Sequence, residues 1–455
     1  MDTELLSGDD SDECLWLGGP VSRGQLRGLV SQWEQELANT GLSPGGTVAL
    51  RLPPSLTFVA SLLAAWRIGA QVSLLDHRLT RYEADQAVQR LAPEVLVEPT
   101  HVVGSAMRGY ADVVAAATAR PDGSPAQTPH ALVQLSSGST GPSKVIARTA
   151  ADVVGELHRY DSLGEYPRGG ERIVLLASMV HVLGLVGGLL YSLHAGLQLA
   201  IPDRLTADGI LGTVAASERP TIVLGVPFHA ELLAAATAPA PQVLTRMVVA
   251  GELLRPGVAE AVNARYGVPL GTMYGMTELG VIATDLFGKL RPGYAPAPGM
   301  DLRVADGELL VRMAASPYIG LVDPTRWSDG WLHTRDAATI DVRTGLVTIL
   351  GRLDSQVSVG GLKVDLTEVE QTLGALPGVD EAVVLYDVAI EAYVALREGT
   401  TVPGVEAALS ERLAAYKRPR EVHVLARLPR TATGKIVRDR RVLRAQLGSQ
   451  PGADA

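Results

Sequence analysis

Leu135-Ser136-Ser137-Gly138-Ser139-Thr140-Gly141-Pro142-Ser143-Lys144-Val145-Ile146 decides how this chain is read. The apolar run from Ala131 to Leu135 predicts a strand, and the glycine-rich run opens at that strand's carboxyl end. A polyphosphate needs many hydrogen-bond donors at close range. Gly138 and Gly141 let backbone N–H groups approach with no Cβ in the way, while Ser136, Ser137, Ser139 and Thr140 add hydroxyls. Lys144 adds a point charge. A P-loop NTPase is the obvious rival, but the segment lacks the Gly-Lys-Ser/Thr ending and its spacing. A plain Ser/Gly turn is the other reading of such composition. The position directly after an apolar strand favours phosphate.

Around this segment the chain has the material for more than one domain, with 455 residues of which 47% are hydrophobic. Its net charge of -9 and acidic start (Asp2, Glu4, Asp9, Asp10, Asp12, Glu13) argue against a nucleic-acid protein and for small-molecule chemistry. Cys14 is the only cysteine, which rules out an intrachain disulfide and any zinc site built on several thiolates, and a reducing cytoplasm is the simplest setting. No basic segment followed by an apolar one marks a secretory signal. Ile173 to Ile201 carries no Asp, Glu, Lys or Arg and is long enough to span a bilayer. His181, His194, Gln198 and several glycines interrupt it, so it reads as a buried strand followed by a helix over Leu183–His194, with no membrane partner.

From about Gln25 to Ile201, helical stretches alternate with short apolar runs: Thr47–Leu52, the helix Leu56–Ile68, Gln71–Leu75, Pro93–Val97. That is the rhythm of mostly parallel sheets covered by helices, an α/β domain. A second cycle runs through Thr221–Leu224 and Val248-Val249 to Tyr274. After Gly293 the strands become short and turn-rich (Leu302–Val304, Glu308–Arg312, Ala338–Asp341, Val347–Leu350), which predicts a small β subdomain. Beyond Asp354 comes a compact α+β module: Val364–Leu373, Ala382–Tyr386, Ala392–Leu396, a helix Glu406–Ala415 and Glu421–Val424. The expected division is a large N-terminal domain over 1–352 and a small C-terminal one over 353–455.

Three further segments follow the glycine-rich run in fixed order: Tyr274-Gly275-Met276-Thr277-Glu278, Gly351-Arg352-Leu353-Asp354 and Thr433-Gly434-Lys435. Together with it they resemble the machinery of the adenylate-forming superfamily of acyl-CoA synthetases, peptide-synthetase adenylation domains and luciferases. The Arg148-Thr149 pair after the loop is similar to the variant in aryl-acid AMP ligases, whereas Tyr416-Lys417-Arg418-Pro419 and Pro429 to Lys435 are worded as in CoA ligases. The family usually has Pro and Gly where this chain has Ser143 and Val145.

The resemblance implies that Tyr274 stacks near adenine beside Gly275 and Met276, that Thr277 meets the α-phosphate, and that Glu278 holds Mg²⁺. Gly251 and Glu252 resemble the strip lying along the adenine. Trp331 to Asp336 resembles Trp-x-x-Thr-Gly-Asp, so Asp336 would accept the ribose hydroxyls, as a purely accepting carboxylate suits a diol. Arg335 stands in place of the customary glycine, where it would either crowd the site or add a cation near the nucleotide. Arg352 would meet the ribose or phosphates, Asp354 would be the hinge of a mobile lid, Gly361 would line a pantetheine channel, and Lys435 would contact carboxylate and α-phosphate.

His181 resembles the His-x-x-Gly segment bordering an acyl pocket; a satisfied core histidine is the other reading. No Asp in Met179–Leu185 is present to pair an α-amine, which points to a carboxylic acid lacking an α-ammonium group. The implied reaction is ATP-dependent formation of an acyl-AMP with Mg²⁺, then transfer to a thiol, CoA slightly ahead of a carrier-protein phosphopantetheine. Transfer to an amine or other nucleophile, a catalytically weakened nucleotide-binding homologue and assembly as a homodimer stay open.

Overall fold

The computed structural model describes residues 2–101, 109–136, 144–353, 355–429 and 436–447. The apolar runs of the first three hundred residues pair into two large sheets with helices packed on them. The larger has nine strands, in the order Ala295–Pro296, Gly280–Asp285, Leu270–Met276, Leu244–Ala250, Thr221–Gly225, Arg172–Leu175, Gln198–Ala200, Glu13–Trp16 and Pro20–Ser22. From Leu270–Met276 to Glu13–Trp16 all neighbours are parallel. Every residue of Arg172–Leu175 is buried, as a strand covered on both faces requires.

The second sheet has seven strands, in the order Tyr318–Ile319, Lys144–Arg148, Leu132–Ser136, Gln71–Leu74, Thr47–Leu50, Val95–Pro99 and Ala115–Ala119. The helix Leu56–Ile68 has the expected bounds. Buried Ser55 starts it, its Oγ accepting the Phe58 N–H at 3.0 Å, a cap worth about 1 kcal/mol. A five-stranded sheet follows, built on Leu302–Ala305, Glu308–Arg312, Trp327–Ser328, Trp331–Ile340 and Val347–Arg352. The run expected over Ala338–Asp341 is thus the end of a longer strand, because the alternation of buried and half-buried positions begins already at Trp331.

The uncharged stretch Ile173–Ile201 divides among a strand, a helix and a second strand. Its helix differs from the expectation in form: Leu183–Leu190 is a widened π-type turn that passes into the α-helix Tyr191–Ala195. The Tyr166 hydroxyl donates to the Gly187 carbonyl at 2.8 Å within that widened segment, giving the distorted ladder a side-chain partner. Among the described residues no helix is long and apolar enough to cross a membrane.

The described residues fall into two compact units, one drawn from Met1–His77, Arg90–Leu135 and Val145–Leu353, the other from Arg78–Gln89, Ser136–Lys144 and Asp354–Ala455. The C-terminal domain is small and α+β. It contains the hairpin Gln356–Val359 with Leu362–Asp365 and the three-stranded sheet Val379–Tyr386, Ile390–Leu396, Glu421–Val424. Val369 and Leu373 of the helix Leu366–Gly374 pack on Val384, Ala392 and Val394 of that sheet.

Candidate active site

In parallel sheets, ligands bind beyond the carboxyl ends of the strands, where the loops to the covering helices leave a crevice. Several expected site residues gather there by register alone. His181 follows Arg172–Leu175, Gly251 and Glu252 follow Leu244–Ala250, and Ala250 lies beside Met273 in the next strand. That strand, Leu270–Met276, then delivers Tyr274, Gly275 and Met276 to the same edge.

The Tyr274 hydroxyl donates to Asp336 Oδ2 at 2.6 Å. Tyr274 belongs to the nine-stranded sheet and Asp336 to the five-stranded one, so this bond closes the seam between two sheets. Asp336 is paired in register with Arg352, whose Nη1 donates to Asp336 Oδ1 and to the Thr334 carbonyl, both at 3.2 Å. Asp336 is buried while the Arg352 side chain is 28% exposed, so the guanidinium sits at the rim of this cluster. Burial, reinforced by the Asp336 carboxylate, drives the Tyr274 phenol far above its ordinary pKa, so it remains a donor. A carboxylate is purely an acceptor with about four lone-pair sites, the chemistry that a ribose diol calls for.

Thr277 and Glu278 are the central residues of the turn that joins Leu270–Met276 to Gly280–Asp285, closed by the Leu279 N–H donating to the Met276 carbonyl at 3.2 Å. A Cβ on Gly275 would lie 2.5 Å from the Gly280 carbonyl, so only glycine lets the turn close this tightly. Glu278 Oε1 accepts the Tyr318 hydroxyl at 2.9 Å. Tyr318 comes from the seven-stranded sheet, where it pairs with Ile146 just after Lys144. Burial, and then the Glu278 carboxylate, raise the Tyr318 phenol well above its usual range. Three sheets therefore contribute to one edge. Glu278 offers hard anionic oxygen, the donor type Mg²⁺ requires, and one phenolic donor does not exhaust a carboxylate.

A buried ion pair supports this turn from behind. Arg148 and Glu156 are 2.7 Å apart, with side chains 3% and 0% exposed, and Glu156 Oε1 accepts the Val281 N–H at 3.1 Å. Glu156, paired with Arg148, thus anchors the start of the strand after Glu278, while Thr149 and Asp152 form the capping box of the helix Ala150–Ser162.

Arg335 neither crowds Asp336 nor turns toward it. It takes a left-handed backbone conformation (φ +62°), its N–H donates to Glu308 Oε1 at 2.8 Å, and its guanidinium lies 3.9 Å from Glu308 Oε2. His181 is half-buried; its N–H donates to the Ser178 carbonyl at 3.1 Å and its own carbonyl accepts from Leu185. Gln134, two residues before Ser136, donates to the neighbouring Val180 carbonyl at 2.6 Å, tying the strand ahead of the glycine-rich run to the His181 segment. In the second unit, Gly361 shares with Gly360 the two-residue tip of a hairpin, both at positive φ (+83° and +57°).

A family model described as AMP-binding enzyme matches residues 14–314, and one described as AMP-binding enzyme C-terminal domain matches residues 368–435. The chain belongs to the AMP-binding enzyme family. It is an adenylate-forming ligase. This AMP-binding enzyme is 28% identical to the p-hydroxybenzoic acid–AMP ligase FadD22 of Mycobacterium tuberculosis, over 98% of this chain and 69% of the relative. It is also 28% identical to the indoleacetate–CoA ligase of Aromatoleum aromaticum, over 92% of each chain. Among solved structures, the o-succinylbenzoate CoA synthetase MenE of Bacillus subtilis superposes with a TM-score of 0.81 at 22% identity, covering 96% of each chain. The amide bond synthetase McbA of Marinactinospora thermotolerans does so at 0.77 and 23% identity, covering 97% of this chain and 98% of that one. At such identities these two likenesses speak for the fold.

Of the expected site residues of this AMP-binding enzyme, Ser137, Gly138, Ser139, Thr140, Gly141, Asp354 and Lys435 lie outside the described residues. Ser136 ends the strand Leu132–Ser136 and half-buried Lys144 begins Lys144–Arg148. Tyr318, Arg148 and Glu156 were not identified as site residues from the sequence. Ser316-Pro317-Tyr318-Ile319 carries no motif, and the eight-residue spacing of Arg148 and Glu156 crosses from a strand to a helix, which no single periodicity reports.

Proposed function

We propose that this AMP-binding enzyme activates an aromatic acid, or another acid lacking an α-ammonium group, as its acyl-adenylate with release of pyrophosphate, and transfers the acyl group to a thiol, CoA ahead of a carrier-protein phosphopantetheine. The observation that carries the reading is the Tyr274–Asp336–Arg352 cluster: an accepting carboxylate held between a phenol and a guanidinium, group types that suit a ribose and its phosphate. The relatives named for p-hydroxybenzoic acid and indoleacetate support the aromatic acid.

Carboxylate attack on the α-phosphorus brings two anions together, so rate must come from alignment and charge neutralisation. Thr277 and the hydroxyls and N–H groups of Ser136 to Thr140 hold the phosphates, Lys144 adds charge, and Lys435 spans carboxylate and α-phosphate. Mg²⁺ held at Glu278 would neutralise phosphate oxygens. One carboxylate oxygen forms the new O–P bond as the bond to pyrophosphate breaks; the thiol sulfur then attacks the acyl carbon and AMP leaves. In this reading residues 1–352 hold nucleotide and acid, with His181 bordering the acid, and residues 353–455 form a lid that turns about Asp354, withdraws Lys435 and brings Gly361 to the pantetheine arm.

A pyrophosphate-release screen across benzoic, cinnamic, indolic and aliphatic acids, each with CoA, a holo-carrier protein or an amine as acceptor, tests it. The reading expects aromatic acids and CoA to give the largest turnover. Thioester on the carrier alone would overturn the CoA assignment, and ATP binding without acid-dependent pyrophosphate would overturn the activity.

A further inference from the structure

Glu4, His158 and His194 stand together on three different helices, Asp2–Leu5, Ala150–Ser162 and Tyr191–Ala195, none of which carries an expected nucleotide-site residue. Their ligand atoms lie within 4.8 Å of one another. Glu4 Oε2 is 3.3 Å from His194 Nδ1 and 3.9 Å from His158 Nε2. On its far side, His194 Nε2 is 2.8 Å from Asp161 Oδ2.

A neutral imidazole has one donor and one acceptor nitrogen. The short contact to Asp161 puts the proton on Nε2, which leaves the Nδ1 lone pair facing the Glu4 carboxylate. Two acceptors at 3.3 Å need positive charge between them. A second proton on His194 would supply it, and so would a metal cation, which would in addition engage the His158 Nε2 that faces the same oxygen. A metal cation accounts for all three. Tetrahedral zinc with bonds of about 2.0–2.1 Å to N and O separates its ligand atoms by about 3.3 Å. The Glu4–His194 separation already has that value, while the Glu4–His158 separation of 3.9 Å must shorten by about 0.6 Å for an ion to be held by both. The His158 side chain is 58% exposed, so it has room to rotate inward. Asp161 fills the part of the outer carboxylate that orients a metal-bound histidine and raises its basicity.

We propose that Glu4, His158 and His194 bind a divalent cation of the zinc class, with water as the fourth ligand and Asp161 positioning His194. The ion would staple the first helix of the chain to two helices more than a hundred and fifty residues later, stabilising the fold because only the folded chain brings the three ligands together.

The test uses the full-length chain stripped of metal by chelator, titrated with zinc by calorimetry and with cobalt(II) by visible absorption. One zinc per chain, tetrahedral cobalt bands and a thermal midpoint that rises with zinc are expected. His158→Gln and Glu4→Gln should each weaken zinc binding at least about tenfold and abolish the rise in midpoint. His158 is exposed, so its replacement leaves the fold intact, and acid-dependent pyrophosphate release should be unchanged in H158Q. A flat titration, as a second proton on His194 would give, or zinc affinity retained in both variants, overturns the proposal.

Discussion

The Tyr274 hydroxyl and the Asp336 carboxylate, 62 residues apart in sequence, are joined by a 2.6 Å hydrogen bond across the seam of two sheets. Tyr274→Phe keeps the ring and removes only the donor. A hydrogen bond to a charged group is worth roughly 1.5–3 kcal/mol, so KM for ATP should rise about tenfold or more, with kcat less affected. Steady-state kinetics of pyrophosphate release check this; an unchanged KM for ATP would remove Asp336 from the ribose site.

Tyr318 should matter through Glu278. Tyr318→Phe leaves the carboxylate without its phenolic donor. On the proposed role of Glu278, the Mg²⁺ concentration giving half-maximal rate should rise several-fold, while activity at saturating Mg²⁺ largely recovers. An Mg²⁺ dependence identical to that of the wild type would separate Glu278 from the metal.

Arg148 and Glu156 are nearly wholly buried, and removing one alone leaves an uncompensated charge, at a cost of about 3–5 kcal/mol. Glu156→Gln should lower the urea midpoint of unfolding accordingly. The double variant Arg148→Met/Glu156→Leu should regain part of that stability. It should not regain pyrophosphate release, because Val281 still lacks its acceptor next to the Thr277–Glu278 turn.

His229 gives the fold an acid-sensitive element. Burial pushes its imidazole down to about 4, and Nδ1 accepts the Val226 N–H at 3.2 Å. The unfolded chain takes up a proton near pH 6.5 that the folded chain refuses, so stability present above that pH is lost as pH falls toward 4. The loss attributable to His229 is roughly 3 kcal/mol, the shift of about 2.5 units taken at 1.36 kcal/mol each. His229→Asn can still accept from Val226 and should unfold with a shallower dependence over that window. Parallel slopes for the two proteins would show that His229 is solvated.

Much of the fold was legible because its signals are local. The βαβ rhythm, the bounds of Leu56–Ile68 and the strands Glu308–Arg312 and Glu421–Val424 each follow from periodicity within about a dozen residues. Tyr274, Glu278, Asp336 and Arg352 stood out because their motifs are contiguous. What escaped depends on tertiary meetings: Tyr318 with Glu278, Arg148 with Glu156 and Val281, and the capture of Arg335 by Glu308. Lys417 is a case in point. A basic run commonly lies on a solvated face, yet this lysine is buried between Glu83 and Glu368, at 2.9 and 2.8 Å. Burial opposes its charge, and Glu368 with its neighbours overcomes that, so its pKa stands above the ordinary value.

Acid-dependent exchange of labelled pyrophosphate into ATP, compared between the wild type and Lys435→Ala, tests the central claim most directly. The wild type should exchange only when a suitable aromatic acid is present. The variant should lose exchange while still passing the acyl group of supplied acyl-AMP to CoA. Exchange independent of acid, or equal loss of both half-reactions in the variant, would contradict adenylation by a lysine delivered from a mobile lid.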